Sequence, residues 1–238
     1  MSTALVLAGG GVTGIAWETG VLLGLRENGL DLTTADLVVG TSAGSTVGAQ
    51  LRTGKTLDEM FAAQLDDNHG EISPRIDVEL VTGIFGLMTD GGTHDDEQRR
   101  RIGERALAAP TIDEATRRAV IERRIATSAW STATLIITAI DAVTGEFVLW
   151  TKDSGISLVD AVASSCAVPG VWPCVSINGR RFYDGGLRNS ANAFLAAGHD
   201  TVFVLAPLTG GASPAVEKEL AELRAQGSTV HFITADAE

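Results

Sequence analysis

Short apolar runs alternate with longer amphipathic stretches along most of the chain. We predict strands where the runs are short and either continuously apolar or strictly alternating, at residues 4–8, 36–39, 134–142, 201–206 and 229–234. Helices are predicted where the spacing is helical, at residues 15–28, 45–52, 111–125, 158–165, 192–197 and 216–225. Two hairpins, 134–142 with 146–150 and 171–177 with 181–183, are predicted through Thr144-Gly145 and Asn178-Gly179.

The order of these elements predicts the fold class. Strands that alternate with helices are typical of a three-layer α/β/α fold with a central, mostly parallel sheet. The segment from about residue 55 to 126 departs from this pattern, because its charges, glycines and prolines are scattered, and we predict a mostly helical insertion there. No internal repeat or linker divides the chain, so residues 1–238 are predicted to form a single domain.

Charge and composition exclude several function classes. The chain carries 30 acidic and 18 basic side chains, a formal net charge of −12, so a nucleic-acid partner is not expected, because phosphate binding requires a positive surface. No apolar run reaches membrane-spanning length and the N-terminus lacks a basic signal region, which predicts a cytoplasmic protein. The only cysteines, Cys166 and Cys174, are predicted to be reduced and buried.

The pentapeptide Gly-Thr-Ser-Ala-Gly that begins at Gly40 is the strongest candidate for chemistry. It follows a predicted strand and precedes a helix-compatible stretch, which is the context of a nucleophile elbow. In such a turn Gly40 and Gly44 permit a sharp bend, and the hydroxyl of Ser42 projects beyond the strand end. Ser42 is therefore the candidate nucleophile, and the amide of Ala43 is a candidate oxyanion donor. The alternative is a Gly-x-Ser-x-Gly loop without function.

Gly9, Gly10, Gly11 and Gly14 form a glycine-rich loop between the first predicted strand and helix. Their spacing fits a dinucleotide-binding fingerprint, but such a site requires an acidic residue at the end of the second strand, where this chain has the serine motif. An oxyanion hole is favoured instead, because consecutive glycines let backbone amides approach a developing alkoxide closely. A plain tight turn is the third interpretation.

Asp184 is the third candidate, in the sequence Asp184-Gly185-Gly186 that follows the short predicted strand 181–183. A carboxylate followed by two glycines can point at a partner without steric conflict. Taken alone, however, Asp-Gly-Gly is more often a simple turn.

The three motifs, in this order, resemble those of the patatin-like phospholipases. That family has a glycine-rich oxyanion loop near the N-terminus, a Gly-x-Ser-x-Gly elbow soon after it, and a distant Asp-Gly-Gly or Asp-Gly-Ala. Residues 160–173 are also similar to the family's Ala-Ser-x-Ala-x-Pro-x-x-Phe-Pro stretch. The resemblance covers about residues 4–51 and 158–207, and nothing comparable is found for the insertion.

The resemblance implies a lipid acyl hydrolase of the phospholipase A or lysophospholipase type. Ser42 is implied as the nucleophile and Asp184 as its base, in a dyad without histidine that works through an acyl-enzyme. An aspartate with a pKa near ~4 is a poor base for a hydroxyl, so burial and the oxyanion hole must assist it. The implied partner is a lipid or ester substrate. No cofactor is implied, and no His/Cys cluster with metal-ligand spacing occurs.

Two positions depart from the family pattern. Thr13 lies where the family usually has Arg or Lys before the last glycine of the loop, and Asn192 is followed by alanine rather than proline. The missing cation weakens the expected preference for an anionic head group. It also favours an alternative function, a catalytically weak lipid-binding or regulatory protein that keeps the fold.

A Ser–His–Asp triad is the mechanistic alternative. Ser42, Asp184 and then His199 or His231 follow the chain order of α/β-hydrolases, but in that fold several strands precede the elbow, and here only one other does.

Two features of the insertion have two interpretations each. Arginine runs at residues 99–101, 117–118 and 123–124 predict either a transient contact with a membrane surface or solvated helix faces paired with acids. The apolar patch at residues 84–88 predicts either a lid over an acyl-chain pocket or ordinary core.

Overall fold

A computed structural model of the chain describes residues 1–66, 71–74, 76, 78–88, 92–93, 95–207 and 212–235. Strands within these residues are β1 (Thr3–Leu7), β2 (Leu37–Gly40), β3 (Leu135–Asp141), β4 (Phe147–Trp150), β5 (Val175–Ile177), β6 (Arg180–Asp184), β7 (Thr201–Ala206) and β8 (Thr229–Thr234). The α-helices are α1 (Gly11–Glu27), α2 (Ala43–Arg52), α3 (Leu57–Gln64), α4 (Val78–Phe85), α5 (Asp96–Ala108), α6 (Glu114–Ile125), α7 (Leu158–Ser165) and α8 (Pro214–Ala225).

The strands form a mixed sheet in the order β5-β6-β3-β2-β1-β7-β8, with β4 paired to β3. Pairing is parallel from β3 through β2, β1 and β7 to β8, and it is antiparallel where β4, β5 and β6 join. The predicted mostly parallel sheet is therefore confirmed.

Strand β1 shows why the fold has three layers. Leu5 and Leu7 point into a core shared with α1, α2 and α7, whereas Ala4 and Val6 point into a core shared with α8. Because side chains alternate between the two faces of a strand, burial on both faces requires the continuously apolar run seen in the sequence.

Three predicted elements have different bounds in the structure. Helix α1 begins at Gly11, four residues earlier than predicted, because the glycine loop turns directly into the helix with Gly11 at φ +64°. The segment after Asn192 is a short 3-10 turn, Ala193–Ala196, rather than an α-helix. The first residues of the predicted strand 171–177 form a turn instead, in which the amide of Trp172 donates to the carbonyl of Val168.

The described part of the insertion is mostly helical, as predicted, and comprises α3 to α6. Its apolar patch belongs to the core rather than to a lid, since Ile84 is fully buried beside Ile102 and Tyr183. The arginine runs are largely paired with acids, for example Arg100 with Glu97. No helix among the described residues is long and apolar enough to span a bilayer. That the whole chain forms one domain stays a prediction.

Candidate active site

Strand β3 brings the second and third motifs together. Strand β4 pairs with both Ile137 and Ala139 of β3, along one edge of that strand. On the opposite edge, Ile137 pairs with Gly40 of β2 and Ala139 pairs with Asp184 of β6. Strands β2 and β6 therefore lie along the same edge of β3. Because β2 is parallel and β6 antiparallel to β3, their C-terminal ends point towards each other. Their last residues, Gly40 and Asp184, pair only two positions apart.

Ser42 occupies a strained turn between β2 and α2. Its backbone has φ 53° and ψ −114°, a conformation that a residue with a side chain rarely adopts and that is concentrated at functional sites. The glycines beside it are required for packing: a Cβ added at Gly44 would overlap the carbonyl of Leu7 in β1, and one at Gly40 would lie against the backbone of α2. The predicted elbow geometry is present.

The Ser42 hydroxyl and the Asp184 carboxylate are both buried, and Ser42 lies close enough to lower the pKa of the carboxyl. Ser42 is 7% exposed and Asp184 is 2% exposed. Burial raises the pKa of Asp184 to about 7, against the lowering effect of Ser42 and of the hydrogen bond from the amide of Gly186, which lies 2.8 Å from Oδ1. The two residues are thus brought together, and the carboxylate has a basicity suited to neutral pH.

The end of α7 holds the backbone of the elbow. The amide of Ser42 donates to Oγ of Ser165 at 2.9 Å, and the carbonyl of Ser42 accepts from Sγ of Cys166 at 3.2 Å. Burial raises the pKa of Cys166, so that it remains a thiol and can donate. Sequence reasoning did not assign these two residues a role, although both lie in the stretch 160–173 that resembles the family.

Hydroxyl and amide side chains connect the elbow to the aspartate loop. Oγ1 of Thr41 and Oγ1 of Thr138 are 2.9 Å apart, and Nδ2 of Asn192 donates to Oγ1 of Thr41 at 3.1 Å. A Cβ at Gly185 would overlap Thr138, so the glycine after Asp184 lets its loop approach β3. Thr138 and Thr41 are also absent from the sequence-based candidates, since nothing in their spacing indicates a buried pair.

The amides predicted to be oxyanion donors differ in whether they already donate a hydrogen bond within the protein. The amide of Gly9 donates to the carbonyl of Ser190 at 2.9 Å, so its inclusion among the oxyanion donors is corrected: it is already bonded to the protein. The amides of Gly10, Gly11 and Ala43 donate to no acceptor within the described part of the chain. Gly11 and Ala43 are the first residues of α1 and α2, so two helix N-termini converge here.

The glycine loop also packs closely against the residues around it. Gly9 lies beside Ser42, because a Cβ added to it would be in ordinary contact, 3.5 Å, with the serine Cβ. Cβ atoms added at Gly10 and Gly14 would lie against Pro207, which follows β7. The loop is thereby pressed between the elbow and the end of β7.

Ser42 opens into a small cavity of about 50 Å³ that Gly11 and Ala43 also line. Its other walls are partly apolar and partly cationic: Val12, Ile15, Arg117, Arg124, Cys166, Val168 and Trp172. Sequence reasoning placed both arginines only in surface runs. It did not indicate that α6 brings them to the serine.

The structure places neither candidate histidine near Ser42 and Asp184. His199 precedes β7, so it lies at the N-terminal end of the parallel strands, whereas Ser42 follows the C-terminal end of β2. His231 lies in the outer strand β8, where its ring stacks on Phe203 with centroids 4.6 Å apart, and β1 and β7 separate it from β2. The triad alternative is therefore not supported.

Comparison with known families supports the resemblance stated above. The model of the family described as patatin-like phospholipase matches residues 5–197, which include all three motifs and most of the sheet. The chain belongs to the patatin-like phospholipase family.

The solved structures similar to this patatin-like chain are distant in sequence. VipD from Legionella pneumophila has 15% sequence identity and a TM-score of 0.49, over 94% of this chain and 53% of that protein. The type III effector protein ExoU has 16% identity and a TM-score of 0.44, over 100% of this chain and 49% of that one. The chain thus spans about half the length of these proteins. No curated protein matches it by sequence.

Proposed function

We propose that this chain is a serine hydrolase that cleaves acyl esters of lipids, of the phospholipase A or lysophospholipase type. Ser42 is the nucleophile and Asp184 the base. The observation that carries the proposal is the proximity of these two buried side chains, with the aspartate pKa raised by burial to about 7. Membership in the patatin-like phospholipase family supports the substrate class.

The geometry suggests the following chemistry. Oγ of Ser42 attacks the ester carbonyl carbon while Asp184 takes the hydroxyl proton, and the resulting oxyanion accepts from the amides of Gly10, Gly11 and Ala43. Asp184 then gives the proton to the departing alcohol or lysolipid, which leaves an acyl-enzyme on Ser42. Water, deprotonated by Asp184, attacks the acyl carbon; the bond from that carbon to Oγ of Ser42 then breaks, Asp184 returns the proton to Oγ, and the fatty acid is released.

Burial allows an aspartate to serve as the base. An aspartate in water has a pKa of about 4 and would hold the proton too weakly, whereas one with a pKa of about 7 is close to the optimum for proton transfer at neutral pH. The helix N-termini at Gly11 and Ala43 line the cavity beside Ser42. They are placed to stabilise the oxyanion, whose charge develops only during the reaction.

The surroundings of the cavity also suit a lipid aggregate, and we propose a transient contact with a membrane surface. A second cavity of about 150 Å³, which shares Val12 and Ile15 with the first, is lined by Ala63 and Gln64 of α3. Phe61 and Leu65, on and just after the same helix, are 38% and 70% exposed. Exposed apolar side chains close to a cavity mouth are common at sites of lipid contact.

Two assays test the proposal: hydrolysis of a short-chain chromogenic ester and covalent labelling by a fluorophosphonate probe. We expect wild type to be labelled and active, Ser42→Ala to lose both signals, and Asp184→Asn to lose at least ~100-fold in kcat/KM, the lower range for loss of a general base. Ser131→Ala and Asp153→Asn are matched controls, because Ser131 precedes β3 at the far edge of the sheet and the Asp153 side chain is 78% exposed.

Turnover that survives in Ser42→Ala would remove the proposed nucleophile. Full activity in a folded Asp184→Asn protein would remove the proposed base. Lipid binding by a wild-type protein that the probe does not label would instead favour a lipid-binding or regulatory role, the alternative suggested by Thr13.

A further inference from the structure

Arg117 is a buried cation that forms no ion pair within the described part of the chain. The residue is only 6% exposed, yet its Nε and Nη1 atoms have no hydrogen-bond partner among the described residues. Its guanidinium lies 3.8 Å from the ring centroid of Trp172, which fixes the plane of the group. Burial lowers the pKa of Arg117. Removing a guanidinium from water without pairing it is costly, and the cost is offset if an anion binds there.

Arg117 is among the residues that line the cavity that contains Ser42. Arg117 and Arg124, two helical turns apart on α6, border the cavity together with Gly11 and Ala43. Arg124 is partly neutralised by an ion pair with Glu71. Arg117 therefore carries the unpaired charge in the wall of the cavity that a substrate of Ser42 must enter.

The positive character continues into the second cavity. This cavity of about 150 Å³ shares Arg124 with the first and is also lined by Lys55 and Arg123, with Glu71 as the acidic member of the lining. Nζ of Lys55 donates to the carbonyl of Arg124 at 2.9 Å. In a chain with a formal net charge of −12, such a concentration of basic groups beside the serine favours an anionic ligand.

We propose that Arg117 and Arg124 form an anion subsite that receives the phosphate oxygens of the substrate head group. The inference rests on the proposed function, since it identifies the residues that bind the head group of the proposed phospholipid substrate. Guanidinium groups are well suited to phosphate, because they donate several hydrogen bonds and remain charged when desolvated. The subsite supplies from α6 the cation that the glycine loop lacks at Thr13, whose side chain is exposed.

Binding to the Ser42→Ala protein tests the subsite without requiring turnover. Calorimetry would compare two ligands with the same acyl chain, 1-octanoyl-glycerophosphocholine and 1-octanoylglycerol, of which only the first carries a phosphate. We expect tighter binding of the phosphate-containing ligand. Adding Arg117→Gln should reduce that preference by about ten- to a hundredfold, the value of hydrogen bonds to a charged group. An unchanged preference in the folded double variant overturns the subsite.

Turnover of the same two lipids provides the second measurement. The ratio of kcat/KM for the phospholipid to that for the neutral ester should fall by a similar factor in Arg117→Gln, and by less in Arg124→Gln, because Arg124 is already paired with Glu71. Arg101→Gln is the matched control, since Arg101 is exposed on α5 and lines neither cavity. An equal loss on both lipids would mean a structural role and would overturn the proposal.

Inhibition by inorganic phosphate distinguishes the two sources of the anion, a lipid head group and free phosphate. Competitive inhibition of neutral-ester hydrolysis by phosphate, lost in Arg117→Gln, supports the subsite when the phospholipid is also preferred. Inhibition without that preference assigns the arginines to free phosphate and overturns the head-group assignment. If Arg117→Gln fails to fold by circular dichroism, Arg117→Lys and Arg124→Gln replace it in the same comparisons. Wild type that hydrolyses neither lipid refutes the proposed function, whereas the calorimetry still decides the subsite.

Discussion

The raised pKa of Asp184 makes a quantitative prediction about stability. An aspartate in the unfolded chain titrates near ~3.9, and each unit of difference from the folded state corresponds to about 1.4 kcal/mol. With a folded-state pKa of about 7, the shift is roughly three units and corresponds to about 4 kcal/mol. Since the carboxyl is buried, solvent does not reduce this interaction as it does at a surface.

The sign follows from which state binds the proton more tightly. Below about pH 4 the carboxyl is protonated in both states and contributes nothing. As the pH rises towards 7, the unfolded chain releases the proton while the folded protein retains it, so folding becomes progressively less favourable. Above pH 7 the folded protein also ionises, and the full penalty is present. Asp184→Asn cannot ionise and should avoid the penalty while still accepting from the amide of Gly186.

Urea unfolding of wild type and Asp184→Asn at pH 5, 6, 7 and 8 measures this difference. We expect the stability of the variant relative to wild type to increase by about 3 kcal/mol between pH 5 and pH 8. Groups elsewhere, such as the buried Glu18, are common to both proteins and cancel. Asp153→Asn, an exposed site, should show no such trend. In the active enzyme, kcat/KM should rise about tenfold from pH 6 to 8 as Asp184 ionises. A stability difference that does not vary with pH would refute the reasoning.

Two further substitutions test the packing that positions the dyad. Gly44→Ala should destabilise the protein by at least ~1–3 kcal/mol, because its Cβ would overlap the Leu7 carbonyl and backbone cannot move aside easily. The control Gly20→Ala, in open space on α1, should instead stabilise the protein by about 0.5–1 kcal/mol. Equal effects of the two substitutions in urea unfolding would contradict this packing. Thr138→Val removes the buried hydroxyl contact to Thr41 at nearly constant volume and should cost about 1–3 kcal/mol, so a variant as stable as wild type would show that the contact is not needed.

Local sequence signals predict the strands and turns of this chain well. Strand β7 has the predicted bounds 201–206, and Asn178 and Gly179 adopt the positive φ values of 49° and 79° that the predicted hairpin turn requires. These features depend on residues adjacent in sequence, where the apolar run or the turn pair is itself the cause. Helix α1 was predicted to start too late because a run of glycines argues against helix by propensity, whereas here it provides a helix N-terminus.

Features that depend on distant segments were not predicted. Arg117 looks like one member of an exposed basic run, and only the packing of α6 beside the elbow and Trp172 makes it buried. The occupied amide of Gly9 has the same origin, because its acceptor Ser190 lies after the aspartate loop. In both cases the residue type was correctly noted, but its partner was set by tertiary structure, which composition and periodicity do not encode.

Strand β3 shows how a segment without any motif can determine the site. It holds Gly40 and Asp184 two positions apart along one edge, and the Thr138 between those positions contacts the elbow through Thr41. A register shift of one residue in either pairing would turn the side chains at that strand's end to the opposite face of the sheet, because side chains alternate along a strand. The serine and aspartate motifs could then both be intact in sequence and yet fail to meet. The geometry of the proposed Ser42–Asp184 dyad therefore depends on the apolar pattern of β3 as much as on the motifs themselves.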